Sequence, residues 1–294
     1  MIMNKLCFLL LLIAQTLLSQ SIIKENVSWS LMEEDGVLFK YENTIFRVLV
    51  TDYLTEELDS LKKKYALENE LEIKNDSDLK LPHFYVHYSD KLADDLYDNF
   101  FYYYVGIRGK IAEIAFASID RFDKTTVNTA FFDYLTAGQF DTLPIEQDGK
   151  INFVGRAVPK NENWEWIQID RLADKTTGEQ MNWSVHSSLE KAKEANAMQL
   201  QKASIGFQNP PEGNQLKLVT DVEQEMLFED MPTKVRKLVY VVTSENNDNQ
   251  KYITYVIAQK VRGKNIACVM SFYLWGEYSE DRIPPNVKVI FFEK

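Results

Sequence analysis

The chain has 294 residues, 45% of them hydrophobic and 13% aromatic, and its formal net charge is −11. A chain of this length and hydrophobicity can bury the core of one large domain or of two ordinary ones. The acidic balance excludes nucleic-acid binding and docking on anionic lipid, because both need clustered Lys and Arg, and the sequence has no basic stripe.

Residues 1–21 have the pattern of a secretory signal peptide. Lys5 ends a short positive head, an apolar run follows over residues 6–18, and Ser19 and Ser21 offer two cleavage positions. The run is shorter than the roughly 20 apolar residues that a membrane span requires. Cys7 lies at the start of the run, whereas lipidation would need a cysteine just after it. We therefore expect export by the Sec pathway, and a soluble protein that is periplasmic or secreted.

Loss of the signal leaves a single cysteine. Without Lys5 the formal charge of −11 becomes −12, and Cys268 cannot form an intramolecular disulfide in an oxidising compartment. Cys268 lies within a run of apolar residues, so we interpret it as a small core residue and not as a nucleophile.

The first half predicts strands and three short helices. Thr55 precedes an amphipathic pattern at Leu58, Leu61 and Tyr65, and we expect its side chain to cap that helix. A second helix is predicted over residues 90–99 and a third over 127–136. The predicted strands are 37–41 and 44–50 as a hairpin, 70–74, 81–88, and 100–107 with 111–119 as a second hairpin around Arg108-Gly109-Lys110.

The second half is richer in predicted strands. Asp148-Gly149 predicts a hairpin that joins residues 143–146 to a strand over 151–158. A polar helix is expected from Ser187 or Ser188 to Ala203, followed by a loop over 206–214 that holds Pro and Gly. The other predicted strands are 164–169, 215–220, 235–243, 251–262, 265–275 and 287–293.

These elements predict an α+β fold of two units, each a mainly antiparallel sheet with one or two packed helices. The predicted boundaries are 1–21 for the signal, 22–143 and 144–294 for the two domains, with the loop 206–214 as an internal boundary. An Arg-Gly-Lys turn occurs in both halves, and aligning Gly109 with Gly263 matches the apolar alternation that follows each of them. The pattern is compatible with a divergent duplication, although any hairpin could supply it.

His83 and His87 are the candidate metal ligands. On a helix, two histidines four residues apart face one ion. Here Phe84 and Val86 alternate with the polar positions, which indicates a strand, and positions i and i+4 on a strand lie about 13 Å apart. The strand pattern therefore favours hydrogen-bonded or solvent-facing histidines. His186, the third histidine, is expected to take part in local capping.

The acidic residues form no recognisable catalytic motif. Pairs such as Asp94 with Asp98 could supply an acid and a base, but glycosidase pairs are defined by distance in space. No calcium loop, phosphate loop or dinucleotide fingerprint is complete, so we expect no cofactor.

Aromatic residues are the most suggestive binding feature. Trp164 and Trp166 project from one face of a predicted strand, and Trp183 follows after the next turn. If exposed, they form a platform for a sugar ring or an apolar ligand; if buried, they belong to the core. Tyr102, Tyr103 and Tyr104 present the same alternatives on two faces of one strand.

We therefore expect a non-catalytic binding or interaction module of the cell envelope or extracellular space. Its partner would be a protein or a small apolar or sugar ligand. The alternative is a hydrolase of an envelope or extracellular polymer that works through Asp and Glu. A third alternative is a structural subunit of an exported assembly, which would carry an unpaired strand, with 287–293 the candidate.

Overall fold

The structure is a computed structural model, and it describes residues 26–33, 36–69, 72–77, 79–122, 150–160, 162–168, 171–174, 176–208, 215–243, 249–274 and 288. Contacts divide these residues into two compact units. Unit 1 comprises the described residues of Met1–Lys91 and Tyr97–Ile145, and unit 2 those of Leu92–Leu96 and Glu146–Lys294. The predicted signal peptide, the predicted boundary at 143/144, the helix predicted over 127–136 and, apart from residue 288, the strand predicted over 287–293 lie outside the described residues.

Unit 1 is built on a seven-stranded antiparallel sheet in the order β1-β2-β3-β7-β6-β5-β4. Its helix, α1, spans Leu58–Asn69 and follows β3 through a short 3-10 turn, Thr55–Glu57. The strands are β1 Val27–Glu33, β2 Gly36–Tyr41, β3 Thr44–Leu54, β4 Ile73–Lys74, β5 His83–Lys91, β6 Tyr97–Ile107 and β7 Lys110–Asp120.

Unit 2 contains a second seven-stranded antiparallel sheet, in the order β10-β11-β12-β16-β15-β14-β13, and a separate hairpin of β8 with β9. Its helix, α2, spans Leu189–Gln208 and follows β12. The strands are β8 Lys150–Phe153, β9 Arg156–Pro159, β10 Trp164–Gln168, β11 Arg171–Asp174, β12 Gln180–His186, β13 Gln215–Phe228, β14 Met231–Thr243, β15 Asn249–Val261 and β16 Lys264–Leu274.

The two sheets have the same topology. Numbered within its own unit, each sheet has the order 1-2-3-7-6-5-4, with a helix between strands 3 and 4. The two Arg-Gly-Lys sequences occupy equivalent places, since each forms the hairpin between strands 6 and 7. Arg108 and Gly109 have φ of 51° and 82°, and Arg262 and Gly263 have 46° and 82°. Positive φ at both central residues is typical of type I′ turns, whose twist suits antiparallel strands.

Unit 1 buries side chains on both faces of its sheet. One face carries a cluster that includes Phe39, Phe46, Phe101 and Phe116, in which the rings of Phe46 and Phe116 lie 5.2 Å apart. On the other face Leu58 and Leu61 of α1 belong to a cluster with Phe84, Tyr104 and Ile111. Burial on both faces explains why β6 holds five consecutive aromatic residues, Phe100–Tyr104.

In unit 2 the two faces have different chemistry. On one face, Ala192 and Ala195 of α2 cluster with Ala258 and Ala267, so the helix approaches strands that carry small side chains. The other face carries large residues, and the β8–β9 hairpin lies against it: Phe153 makes edge contacts with the rings of Trp183 and Phe228 at 5.5 and 6.2 Å.

Several predicted elements are confirmed, and the structure differs from the prediction in the following details. Residues 90–99 form no helix, because β5 continues to Lys91 and β6 starts at Tyr97, and cross-strand pairing overrides the local helix signal. The predicted strand over 151–158 is two strands, broken by a turn at Val154-Gly155 where φ is 52° and 86°. Thr55 caps nothing: its hydroxyl donates to the Lys110 carbonyl at 3.0 Å, and Leu54 is the N-cap residue.

The loop predicted over 206–214 lies between two groups of strands that belong to one sheet. α2 extends to Gln208, beyond the predicted end at Ala203, and residues 209–214 lie outside the described part of the chain. β10–β12 before the loop and β13–β16 after it belong to the same seven-stranded sheet.

Candidate functional site

The three tryptophans do not form an exposed platform. Strand alternation places Trp164 and Trp166 on one face of β10, as predicted, but that face is the core face of unit 2. Trp164 and Trp183 are each 1% exposed, and Trp166 is half-buried with its ring 5.9 Å from that of Trp183. This face is covered because the β8–β9 hairpin contributes Phe153, whose ring contacts that of Trp183.

The two candidate metal ligands lie on a strand and make separate hydrogen bonds. His83 Nε2 accepts from the Asp76 backbone N–H at 2.8 Å, so its Nδ1 donates to the Leu81 carbonyl at 2.7 Å. His87 Nε2 lies 3.2 Å from Asn99 Oδ1, and its ring stacks on Phe101 at 4.1 Å. Within the described residues, no group of three or more His, Cys, Asp or Glu side chains is placed to hold a metal ion.

The third histidine and the cysteine are both buried. His186 Nε2 lies 2.7 Å from Ser184 Oγ, whereas the hydroxyl of Ser188 accepts from the Lys191 backbone N–H at the start of α2. Ser188 therefore caps α2. We predicted that His186 takes part in this capping, but its ring lies beside Ser184. Cys268 is a free, fully buried thiol on β16.

Two buried carboxylates have structural tasks. Asp174 is 2% exposed, and its Oδ1 accepts from the backbone N–H groups of Thr176 and Thr177 at 2.7 and 3.1 Å, which fixes the turn between β11 and β12. Glu229, in the β13–β14 turn, accepts from Arg156 at 2.6 Å and also from Arg262. Both carboxylates are occupied by donors of their own unit.

A polar network lies on the sheet of unit 2. Gln180 Nε2 donates to Tyr252 Oη and to Ser271 Oγ, and the Tyr252 hydroxyl donates to Ser271 Oγ. Burial raises the pKa of Tyr252, whereas its hydrogen bonds with Ser271 and Gln180 lower it. Because each member has a partner inside the network, the arrangement holds three neighbouring strands in register and leaves little hydrogen-bonding capacity for a ligand.

The accessible aromatic surface lies in unit 1, on the face that α1 covers in part. Tyr88 of β5 is 39% exposed, and its ring stacks on Phe100 at 4.9 Å and on Tyr102 at 6.2 Å. Phe100 and Tyr102 are half-buried. We call Tyr88, Phe100 and Tyr102 the aromatic surface.

Register pairing defines the surroundings of this surface. Phe100 pairs with Ala117 and Tyr102 with Ala115, so small side chains of β7 lie beside the rings on the same face. The pair of Asp90 with Asp98 lies one row further along the face. The three rings therefore lie beside two alanines, and two carboxylates lie at one end of the set.

The electrostatics of Tyr88 reflect this position. Burial, the hydrogen bond with Tyr102 and the nearby carboxylates of Asp90 and Asp98 together raise the pKa of Tyr88 to about 12, and burial contributes most. Its hydroxyl therefore stays protonated at neutral pH and can donate a hydrogen bond.

The sequence identified part of this surface. The three consecutive tyrosines of β6 separate as alternation predicts. Tyr103 is in the core and donates to Asp76 at 3.2 Å, while Tyr104 packs against Tyr65 of α1 and donates to its hydroxyl. Only Tyr102 remains partly accessible. Tyr88, which the sequence analysis did not single out, is found only by pairing β5 with β6.

Comparisons with known proteins give no family. No protein-family model matches the chain, and no curated protein matches it. Among solved structures it is similar to the apo structure of immunity protein TplEi of T6SS from Pseudomonas aeruginosa, at 8% identity and a TM-score of 0.27, covering 89% of this chain and 93% of that chain. DynU16, a protein in the dynemicin biosynthetic locus, matches at 8% identity and a TM-score of 0.20, covering 78% and 86%. At such scores neither similarity supports a statement about fold or function.

No helix within the described residues is long and apolar enough to cross a membrane.

Proposed function

We propose that the protein is a non-catalytic binding module that holds a ring-shaped ligand, with a sugar ring the preferred class, on the aromatic surface of unit 1. The observation that carries the proposal is the exposed ring of Tyr88, stacked on Phe100 at 4.9 Å. Large aromatic side chains are mostly buried in folded proteins, so an accessible stacked set on a sheet face is a candidate contact surface.

The neighbours of the rings favour a sugar over a purely apolar ligand. A sugar presents a flat C–H face that can lie on a tyrosine ring, and hydroxyls at its edge that need hydrogen-bond partners. The hydroxyls of Tyr88 and Tyr102 and the carboxylates of Asp90 and Asp98 lie at the edge of the stack. Ala115 and Ala117, whose side chains are small, lie beside the rings on the same face.

The hydrolase alternative has less support from the structure. Two of the buried carboxylates, Asp174 and Glu229, are engaged by backbone N–H groups and by two arginines. A general acid must be free to exchange a proton with a substrate, and these two are held as hydrogen-bond acceptors.

We further propose that the protein is exported and that its signal peptide is removed by cleavage after Ser19 or after Ser21. The described part of the chain suits an oxidising compartment, because Cys268 is fully buried and a buried apolar setting keeps a thiol unreactive. Export to the periplasm or beyond would bring the aromatic surface to envelope or extracellular glycans.

The two units are also proposed to descend from one duplicated unit. The support is their common strand order, the helix between strands 3 and 4, and the Arg-Gly-Lys turn between strands 6 and 7. A sequence alignment of relatives tests this, since each half should align with the other at Gly109 and Gly263.

Ligand-detected NMR with short soluble oligosaccharides, such as cellobiose, maltose and chitobiose, tests the binding proposal. At least one should show contact with the wild-type protein, and Tyr88→Ala should weaken that binding by about tenfold, since an aromatic stacking contact is worth about 0.5–1.5 kcal/mol beyond its buried area. Tyr53→Ala is the matched control, because Tyr53 is 42% exposed on β3, away from the surface. Equal losses in the two variants, or no contact with any sugar, would show that the proposal is wrong.

A further inference from the structure

The long strand β13 lies at one end of the unit 2 sheet, and its outer edge is unpaired among the described residues. β13 is fourteen residues long and terminates its sheet, and in the described part of the chain no strand pairs with its outer side. Four of the ten large apolar side chains that are exposed in the described residues lie on this strand: Leu218, Val219, Val222 and Leu227. Unpaired backbone next to exposed apolar side chains is a template for another strand.

The equivalent edge strand of unit 1 is too short to offer a comparable edge. Strand 4 of that unit is β4, which has only two residues, Ile73 and Lys74. The other terminal strands are β1, whose Ser28, Trp29 and Ser30 are buried, and the five-residue β10. Short or covered edges are the usual protection against unwanted pairing. The long open edge is therefore specific to one of two units that share a topology.

The side chains of β13 separate by face beyond the bulge at Val219. Asp221, Glu223 and Glu225 pair with Leu238, Arg236 and Lys234 of β14 and share one face, whereas Val222 points to the other. Asp221 accepts two bonds from Arg236, each at 2.8 Å. Glu223 and Glu225 are exposed and make no ion pair among the described residues.

Within residues 221–225 this arrangement argues against a second copy of the chain as the occupant. Antiparallel self-pairing centred on Val222 sets Asp221 opposite Glu223, and pairing centred on Gln224 sets Glu223 opposite Glu225. Like charges directly opposite each other destabilise a sheet. The whole chain also carries a formal charge of −11, which opposes self-association.

We propose that β13 binds an extended basic segment of another protein by strand addition. The segment would carry Lys or Arg at alternate positions, facing Glu223 and Glu225, with apolar residues between them that cover Val222. Backbone hydrogen bonds to the open edge supply affinity, and the alternating side chains supply selectivity. This surface is independent of the aromatic surface of unit 1.

The test uses eight-residue synthetic peptides and the full-length protein. An acetylated, amidated peptide of alternating Lys and Val should bind at least tenfold more tightly than its Glu-Val counterpart. A Lys-Val peptide whose two central valines are replaced by proline should lose that binding, since proline cannot complete a strand ladder. Amide hydrogen exchange should slow in β13 when the first peptide is bound.

A charge-reversed variant separates a specific site from general attraction. Glu223→Lys with Glu225→Lys should reverse the preference, so that the Glu-Val peptide binds at least tenfold more tightly, and that gain also reports that the variant is folded. Glu56→Lys with Asp59→Lys makes the same charge change at two exposed positions of unit 1 and should leave the preference as it is.

Three results would overturn the proposal. One is equal binding of the proline-containing peptide, which would mean attraction by charge alone. Another is reversal by the control variant as well as by the β13 variant. The third is a concentration-dependent dimer in sedimentation that Val222→Lys dissociates, which would assign the edge to a second copy.

Discussion

Arg262 joins the β8–β9 hairpin to the main sheet of unit 2, and its removal should be costly. Its Nε and Nη2 donate to the carbonyl oxygens of Val154 and Phe153 at 2.9 and 2.7 Å, and its Nη1 donates to Glu229. Its guanidinium also lies 6.0 Å from the centre of the Phe153 ring. We expect Arg262→Met to destabilise unit 2 by loosening this hairpin.

The size of the effect follows from the three bonds. A hydrogen bond to a charged group contributes about 1.5–3 kcal/mol. The Arg262 side chain is 35% exposed, so water replaces part of what is lost, whereas Glu229 is only 6% exposed and keeps Arg156 as a partner. Taking the low end and discounting for exposure gives about 3 kcal/mol for the substitution.

Urea unfolding followed by tryptophan fluorescence measures the loss, because Trp183 contacts Phe153 of the hairpin. With a slope of about 2 kcal/mol/M, a loss of about 3 kcal/mol lowers the midpoint of the unit 2 transition by about 1.5 M. Arg236→Met is the matched control: this arginine also has a carboxylate partner, but it is 46% exposed and its partner Asp221 is 41% exposed. Its removal should cost less than about 1 kcal/mol.

Arg262→Lys sharpens the comparison, since lysine keeps the charge but cannot reproduce the three separate bonds. It should recover less than half of the loss. If Arg262→Met shifted the midpoint no more than Arg236→Met, the three Arg262 bonds would contribute nothing and the hairpin would be held by its apolar contacts alone.

Three further outcomes follow from the geometry. Gly36→Ala should destabilise unit 1 by at least about 2 kcal/mol in thermal unfolding, because its Cβ would lie 2.0 Å from the Val48 carbonyl oxygen; an unchanged midpoint would mean that the strands shift freely. Asp174→Ala should cost about 2–4 kcal/mol in urea, because two buried N–H groups lose their acceptor, and Asp174→Asn should recover part of it. Burial raises the pKa of Tyr104, and that of Tyr88 to about 12, above the value of about 10 for unfolded tyrosine. The stability contributed by these protonated phenols is therefore complete below pH 10 and is lost as the pH rises toward and beyond 12, so a urea midpoint that stayed constant from pH 9 to 11.5 would contradict the assignment.

Local sequence signals located most strands but not their partners. The Arg-Gly-Lys turns were predictable, because Gly109 and Gly263 adopt positive φ next to strands of alternating pattern. The strand order 1-2-3-7-6-5-4 was not predictable from the sequence. Its central pairing, β3 with β7, joins segments on either side of α1, and nothing local to either strand encodes that pairing.

The candidate site shows the same division. Alternation placed Trp164 and Trp166 on one face correctly, but the sequence could not show that Phe153 of a separate hairpin lies against that face. Tyr88 became visible only through its pairing with Phe100 across β5 and β6. A binding surface made by cross-strand neighbours has no sequence spacing of its own.

The central position of the last strand governs how each sheet can be completed. In unit 1 Phe46 of the third strand pairs with Phe116 of the seventh, and in unit 2 Trp183 pairs with Cys268 in the same relation. Neither sheet can join its first three strands to the other four until its seventh strand has formed. The slow step in folding should therefore be pairing of the third strand with the seventh, which closes a long chain segment, and not formation of the local hairpins. A truncation that removes β16 would accordingly leave two half-sheets with open edges. Loss of an outer strand, in contrast, would leave one sheet with one strand fewer.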